Sequence, residues 1–324
     1  MNLEAIQKIK TTLETYSHYV ILPHIMPDGD TIGSSAALAH FLKQAGKQAV
    51  VLVEDPVPTN LRLIPRDLFV EMEEFSEPFG EYVAVAVDCS DAGRLGERLD
   101  LLPNRSLLAV VDHHRTNTCF GDINYVDERA SSTGEIIYEL AGEFGFSLDG
   151  TAATALYIAL STDTGGFRYD NTTAKTMQIA SALMASGVDS AAVNRDLYQN
   201  QPLHKVRLLM SALEHMRLVS GQRVALVPVT SDMMSHHQAA YEDTDGISEY
   251  IRSIQGVEVV ALFKELGENR IKVSMRSKCD FDVSALSLRY GGGGHRRAAG
   301  CMLEMPMEAA VAEFERAIAE QMKP

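Results

Sequence analysis

Four short segments of the chain carry carboxylates and imidazoles in patterns that suit a metal-dependent reaction. They are His24-Ile-Met-Pro27-Asp28-Gly-Asp30, Asp88-Cys89-Ser90, Asp112-His113-His114 and Thr162-Asp163-Thr164-Gly165. Taken singly, each has a plainer reading. An aspartate at the end of a strand usually caps a helix or shapes a turn, and a lone histidine such as His24 is usually a hydrogen-bonded surface group. Gathered on one rim, the same groups would repel one another unless cations lay between them. A set rich in carboxylate, with some imidazole and no thiolate, favours Mn²⁺ or Mg²⁺, with Co²⁺, Fe²⁺ or Zn²⁺ also compatible. His24, Asp28, Asp30, Asp88, His113 and Asp163 are too many ligands for one catalytic ion that must keep open positions. They suit two ions about 3.5–4 Å apart, which activate a water and clamp a phosphoryl group.

The elements needed to bring these segments together are legible in the apolar pattern. Residues 19–22, 49–53, 82–87 and 107–111 are short apolar runs rich in β-branched residues, as in strands covered on both faces. Helices are predicted over 33–44, 132–144, 151–161 and 173–186, with Gly46 and Gly187 as stops. Alternation of this kind predicts an α/β fold with a doubly wound, mainly parallel sheet. Ligands of such sheets collect beyond the C-terminal ends of the strands. The segment 24–30 follows the first strand, Asp88 the third and Asp112-His113-His114 the fourth, while Asp163 follows the helix 151–161.

Beyond residue 190 the character changes. Residues 191–218 are helical and strand-free in pattern, with Pro202 where a new helix starts. A second, smaller α/β set follows, with strands over 223–229, 257–263 and 270–275, helices near Ser231 and Ile247, a glycine cluster at 291–294 and a last helix over 307–321. The expected organisation is a catalytic metal-binding domain at 1–190, a helical connector at 191–218 and a substrate-binding domain at 219–324. Between residues 269 and 300, seven Lys and Arg stand against two Asp, a local excess of positive charge in a chain of net charge −15. The run Gly291-Gly292-Gly293-Gly294-His295 permits close backbone approach and positive φ, as in an anion-binding nest. With Arg276, Ser277 and His295 nearby in sequence, phosphate binding is the better reading than a merely flexible loop.

The order His24-x-x-Pro27-Asp28-Gly-Asp30, Asp88, Asp112-His113-His114 and Asp163-Thr164-Gly165 resembles the motifs of the DHH phosphoesterase superfamily. Arg276-Ser277 and Gly291-Gly292-Gly293-Gly294-His295-x-x-Ala298-Ala299-Gly300 resemble the signature of its DHHA1 domain. Size and layout are most similar to the nanoRNase (oligoribonuclease) and pAp phosphatase branch. The resemblance implies one ion on His24, Asp28 and Asp88, and another on Asp30, Asp88, His113 and Asp163, with Asp88 bridging. It further implies that His114 faces the scissile phosphate and that Asp112 orients its neighbours. Arg276, Ser277, Gly292, Gly293, Gly294 and His295 would hold a second phosphate across an active-site cleft between the domains. The implied substrates are oligoribonucleotides of about two to five nucleotides and pAp. Linear or cyclic dinucleotides such as pApA, pGpG and c-di-AMP are the alternative.

The totals exclude several classes. A net charge of −15 argues against a protein that tracks long nucleic acid, whose affinity comes from broad basic surfaces. No apolar run approaches the ~20 residues of a membrane span, and the start Met1-Asn2-Leu3-Glu4 does not read as a signal peptide. The four cysteines are scattered, so a zinc ribbon or disulfide scaffold is not expected and a reducing cytoplasm is the default. A homodimer is compatible with this reading. A family II pyrophosphatase would lack the glycine-rich His295 motif, and a RecJ-like exonuclease would be longer. A non-catalytic nucleotide sensor is at odds with a full set of ligands plus His114.

Overall fold

The computed structural model of the chain describes residues 3–78 and 80–322, and the side chains of Leu3 and His295 lie outside that description. Two compact units emerge, residues 1–200 and 201–324.

The first unit runs α1 (Leu3–Thr15), β1 (His18–Pro23), α2 (Gly29–Gln44), β2 (Gln48–Val53), β3 (Phe69–Glu71), β4 (Val83–Val87), β5 (Leu107–Asp112), β6 (Ile123–Val126), α3 (Thr133–Glu143), α4 (Gly150–Asp163), α5 (Ala174–Ala185) and α6 (Ser190–Tyr198). Its sheet has the order β3-β2-β1-β4-β5-β6 with every neighbouring pair parallel. The chain winds outward from β1 in both directions, so the order reverses between β1 and β4. That switch point is where an open parallel sheet leaves a crevice at its C-terminal edge.

Alternate residues of the same strands serve two cores. Tyr19, Ile21, Val51, Val83, Val85 and Ala109 pack with residues of α1 to α4. Val20, Leu22, Leu52, Ala84, Ala86 and Val110 pack under short 3₁₀ turns around residues 92–101, with Leu95 and Leu102. Both faces are covered, which is why the strands read as continuous apolar runs. Helices α2 and α4 lie in close contact because glycine permits it. A Cβ on Gly33 would stand 2.4 Å from the Ala155 carbonyl oxygen, and one on Gly29 2.4 Å from the Thr162 methyl.

The second unit runs α7 (Leu203–Glu214), β7 (Arg217–Val219), β8 (Val224–Val229), α8 (Ser231–His237), α9 (Ile247–Arg252), β9 (Val259–Gly267), β10 (Arg270–Ser277), α10 (Val283–Leu288), β11 (Gly293–His295), β12 (Ala298–Glu304) and α11 (Met307–Gln321). Its sheet order is β11-β12-β10-β9-β8-β7, antiparallel except for the parallel pair β8–β9. One face buries Phe263, Val273 and Met275 against α10 and α11. The other packs Val227, Val260 and Leu262 against α7, α8 and α9. The stretch 191–218 divides between the units, α6 belonging to the first and α7 to the second. It also ends in β7, a three-residue edge strand that its mixed composition does not announce.

Candidate metal centre

All the acidic and histidine segments of the first unit meet at the C-terminal edge of its sheet. His24 follows the last residue of β1. Asp28 is the N-cap of α2, its carboxylate accepting the amides of Asp30 (3.0 Å) and Thr31 (3.1 Å). For this residue the plain reading and the chemical one coexist, since the oxygen not used for capping faces His24. Asp88 lies just beyond β4 with φ +62°, a left-handed conformation that aspartate tolerates better than most residues. Asp112 ends β5, with His113 and His114 next in the chain, and Asp163 is the last residue of α4. The Thr31 hydroxyl bridges the switch point itself. It donates to the Val87 carbonyl of β4 (3.0 Å) and accepts from the His24 amide (3.1 Å).

Two groups of donors share one carboxylate. His24 Nε2 stands 3.7 Å from Asp28 Oδ2 and 3.6 Å from Asp88 Oδ2. His113 Nε2 stands 3.6 Å from the other oxygen, Asp88 Oδ1, 3.8 Å from Asp30 Oδ2 and 3.7 Å from Asp163 Oδ2. These separations are too long for hydrogen bonds, yet they suit ligands of a common ion. Atoms about 2.1 Å from one cation stand roughly 3–3.7 Å from each other. His24 Nδ1, held by the Ile25 carbonyl at 2.8 Å, leaves Nε2 toward the carboxylates. The donor chemistry therefore fits divalent cations.

The electrostatics point the same way. Burial pushes the Asp88 carboxyl well above the usual carboxylate range, and the charges of Asp30, Asp28, Asp112 and Asp163 add to it. Burial likewise raises Asp30 to about 7, with His113 pulling it back and Asp163 and Asp28 pushing it further. Asp163 is raised by burial too, against the pull of His113. Asp28, at the exposed rim, moves the other way: burial opposes ionisation there, but His24 and the two capping amides outweigh it. A buried group of carboxylates in this condition is stabilised by positive charge.

Several groups that hold these candidate donors have no counterpart in the sequence reading. Asp30 accepts the amides of Thr133 (2.7 Å) and Gly134 (3.0 Å) at the start of α3, and the Ser34 hydroxyl at 2.9 Å. Thr133 Oγ1 donates to Asp88 Oδ1 at 2.9 Å. Asn171 Nδ2 reaches Asp163 Oδ2 at 3.3 Å. Fully buried Asp112 accepts from the His113 amide (2.8 Å), from Asn117 Nδ2 (2.6 Å) and from His114 Nδ1 (2.7 Å). Burial alone would raise Asp112 and lower His114, but the bond and charge between them prevail, lowering the acid and raising the imidazole. The N-cap Ser132, which accepts the Glu135 amide, was the available signal for the start of α3.

The phosphate-binding candidates lie in the second unit. Arg276 is half-buried, with Nε on Glu249 Oε1 at 3.2 Å. Buried Ser277 spends its hydroxyl on the backbone of Cys279, donating to the carbonyl at 3.1 Å and accepting from the amide at 3.2 Å. Read from the sequence as a nest-forming loop, the glycine run is in part the edge strand β11, with Gly293 to His295 paired to β12. Close approach explains the composition: a Cβ on Gly292 would stand 2.2 Å from the Gly300 oxygen, and one on Gly294 2.5 Å from the Ala298 oxygen. The His295 side chain lies outside the described residues. His236 and His237 end α8 and meet edge to face, with ring centroids 4.8 Å apart.

Residues 18–160 match the family model for the DHH family, N-terminal domain, and residues 222–323 match that for the DHHA1 domain. A relative from Thermus thermophilus, named bifunctional oligoribonuclease and PAP phosphatase NrnA, is 32% identical over 93% of this chain and 89% of its own. The chain belongs to the DHH–DHHA1 phosphoesterase family. The Bacillus subtilis protein of the same name is 27% identical over 90% of this chain and 91% of its own. A solved structure from Bacteroides fragilis, described as an exopolyphosphatase-related protein, superposes with TM-score 0.89 at 27% identity, covering 98% of this chain and 96% of that one. As a DHH–DHHA1 phosphoesterase the chain uses divalent metal, and the cluster just described is the candidate for it. Among the described residues no helix is long and apolar enough to cross a membrane.

Proposed function

We propose that this phosphoesterase hydrolyses oligoribonucleotides of about two to five nucleotides to mononucleotides and removes the 3′-phosphate of pAp, with two divalent cations, Mn²⁺ foremost. One observation carries the reading: the two oxygens of Asp88 face two separate donor groups, His24 with Asp28 on one side and His113 with Asp30 and Asp163 on the other. The names of the relatives from Thermus thermophilus and Bacillus subtilis support the substrate class. In such a site the ions supply charge stabilisation for phosphoryl oxygens and a nucleophile from water near neutral pH.

The chain's own residues do the rest. Thr133 fixes the rotamer of Asp88, and the first amides of α3 fix Asp30, so both ligands are set before metal arrives. Asp112 holds His114 through Nδ1 and keeps that imidazole protonated toward neutral pH, ready to donate to a phosphoryl or leaving oxygen. Asn117 and the His113 amide keep Asp112 in place for that task. Arg276, with Gly292, Gly293, Gly294 and His295, is assigned a second phosphate of the substrate, and Ser277, its hydroxyl held by the Cys279 backbone, sets the turn that follows Arg276. For Arg276 this means exchanging its single contact with Glu249 for a phosphate that can accept two hydrogen bonds from the guanidinium. Four free cysteines accord with work in a reducing cytoplasm.

The deciding experiment is a turnover series on pAp, RNAs of about two to five nucleotides, a 24-nucleotide RNA and cyclic dinucleotides, with Mn²⁺ and with chelator. Hydrolysis of pAp and the short RNAs only with metal, falling steeply beyond about five nucleotides and with a shallow salt dependence, is the expected outcome. Comparable degradation of the long RNA, or full activity in chelator, would overturn the reading.

A further inference from the structure

The sheet face that carries Arg276 continues along β10 to a second cationic position. Side chains alternate along the strand, with Lys272, Ser274 and Arg276 half-buried on one side and Ile271, Val273 and Met275 in the core on the other. Lys272 lies four residues from Arg276, roughly 13 Å along the strand, too far for both to grip one phosphate. Directly opposite Lys272 in the register stands Lys264 of β9. Like charges facing each other across a strand pair repel, and Lys264 is only 5% exposed. Among the described residues neither ammonium forms an ion pair. Lys264 Nζ donates to Thr244 Oγ1 at 3.0 Å and lies 4.3 Å from the centre of the Tyr241 ring, with Lys272 Nζ 5.4 Å from the same ring. Asp245 senses them: burial pushes its carboxyl up while Lys264, Lys205 and Lys272 draw it back.

A second observation comes from Tyr241. Its hydroxyl is buried and has no hydrogen-bond partner, whereas a buried phenol normally finds one. Tyr241 also lines a cavity of about 400 Å³ with Ser231, Ser235, Gln238, Glu265 and Leu266, a size usual for small-ligand sites. Hydroxyl, amide and carboxylate groups beside the apolar Leu266 suit a flat ring that carries both donors and acceptors.

We propose that this end of the second sheet binds a nucleoside phosphate, its phosphate between Lys272 and Lys264 and its base in the cavity beside Tyr241. The ligand class rests on the short-oligonucleotide reading above. Its source is either a far nucleotide of the substrate or a free mononucleotide.

AMP is the probe, titrated calorimetrically into the full chain in chelator, so that no turnover is needed. An Arg276→Gln background removes the other cationic position. Lys272→Gln in that background should weaken AMP binding about tenfold or more, the size of one charge-assisted contact. Tyr241→Phe, which keeps the ring and adds no bulk, should weaken it as well and serves as the readout if Lys272→Gln lowers the melting temperature. No binding at millimolar AMP, or an affinity unchanged by both substitutions, overturns the proposal. Given the weakening, the kinetics of the otherwise wild-type chain assign the source. A loss of kcat/KM in Lys272→Gln that is at least about tenfold greater on a five-nucleotide RNA than on pAp supports the substrate's own far nucleotide. AMP-dependent change of pAp turnover, lost in Lys272→Gln, supports a free nucleotide. Failure of wild-type turnover on pAp and RNA would remove the functional reading while leaving the AMP titration to stand by itself.

Discussion

Stripping the divalent metal and then raising the pH should reveal what the acidic cluster costs the fold. Asp30 is almost wholly buried, and burial pushes its carboxyl from 3.8 to about 7, with His113 opposing and Asp163 and Asp28 reinforcing. A carboxyl whose folded pKa lies above its unfolded value binds its proton more tightly in the native state. Its contribution is complete below pH 3.8 and is lost as the pH rises through about 7. Between pH 5 and 8 about two pH units of that loss fall in the window, or about 3 kcal/mol. In a unit of this size each kcal/mol moves the midpoint roughly 2–4 °C, so the metal-free protein should melt about 6–12 °C lower at pH 8 than at pH 5. Asp163 and His114, both raised, change stability in the same direction. Mn²⁺ takes over the role of the protons, so the gain in Tm on adding it should grow with pH. Thermal melts at pH 5, 6, 7 and 8, at one ionic strength, in chelator and in excess Mn²⁺, read both effects. A metal-free Tm that rises across this range, or a Mn²⁺ gain independent of pH, would refute the reasoning.

Three substitutions probe the centre separately. Asp88→Asn suits the left-handed φ of +62° and removes a buried like charge, so the metal-free protein should melt no lower than wild type while phosphatase turnover is abolished; a lower Tm would count against the repulsion argument. Asp112→Asn should lower kcat about a hundredfold or more, the size of one proton donor's contribution, and should shift the alkaline limb of the pH–kcat profile downward, because His114 loses its anionic partner. Gly33→Ala places a methyl 2.4 Å from the Ala155 oxygen and should cost about 1–3 kcal/mol in urea unfolding, with activity per folded molecule retained.

Much of the first unit is written plainly in the chain, because strands buried on both faces must be apolar throughout and ligands at their ends stand out against them. The ligands' supports are not so marked. Thr31, Ser34 and Thr133 look like ordinary hydroxyls in the opening turns of helices, and nothing local shows that the amides of Thr133 and Gly134 face Asp30 from a hundred residues away. Elements with weak apolar signal are equally hard to read. β3 has three residues, and β6 carries Asn124 in its middle. In the second unit the apolar run stops at residue 263, since a charge such as Lys264 seldom continues a buried strand. β9 in fact runs on to Gly267 with Lys264 inside it. The glycine run suggested a loop because no side chain marks a pleat, and only the contact with β12 shows why side chains are excluded there.

The strand order of the first sheet also bears on the order of events in time. β1 pairs with β2 on one side and with the much later β4 on the other, and the candidate ligands are spread from His24 to Asp163. Pairings so distant in sequence close late, because the chain entropy of a long loop is lost before any contact rewards it. A cation therefore meets no formed cage during early collapse and cannot seed the topology, unlike the ion of a small zinc module. Its grip would come after the two halves of the sheet have joined, and a contact made that late slows unfolding far more than it speeds folding. A metal held by these candidate ligands would act as a latch on a finished structure, prolonging the lifetime of the native state.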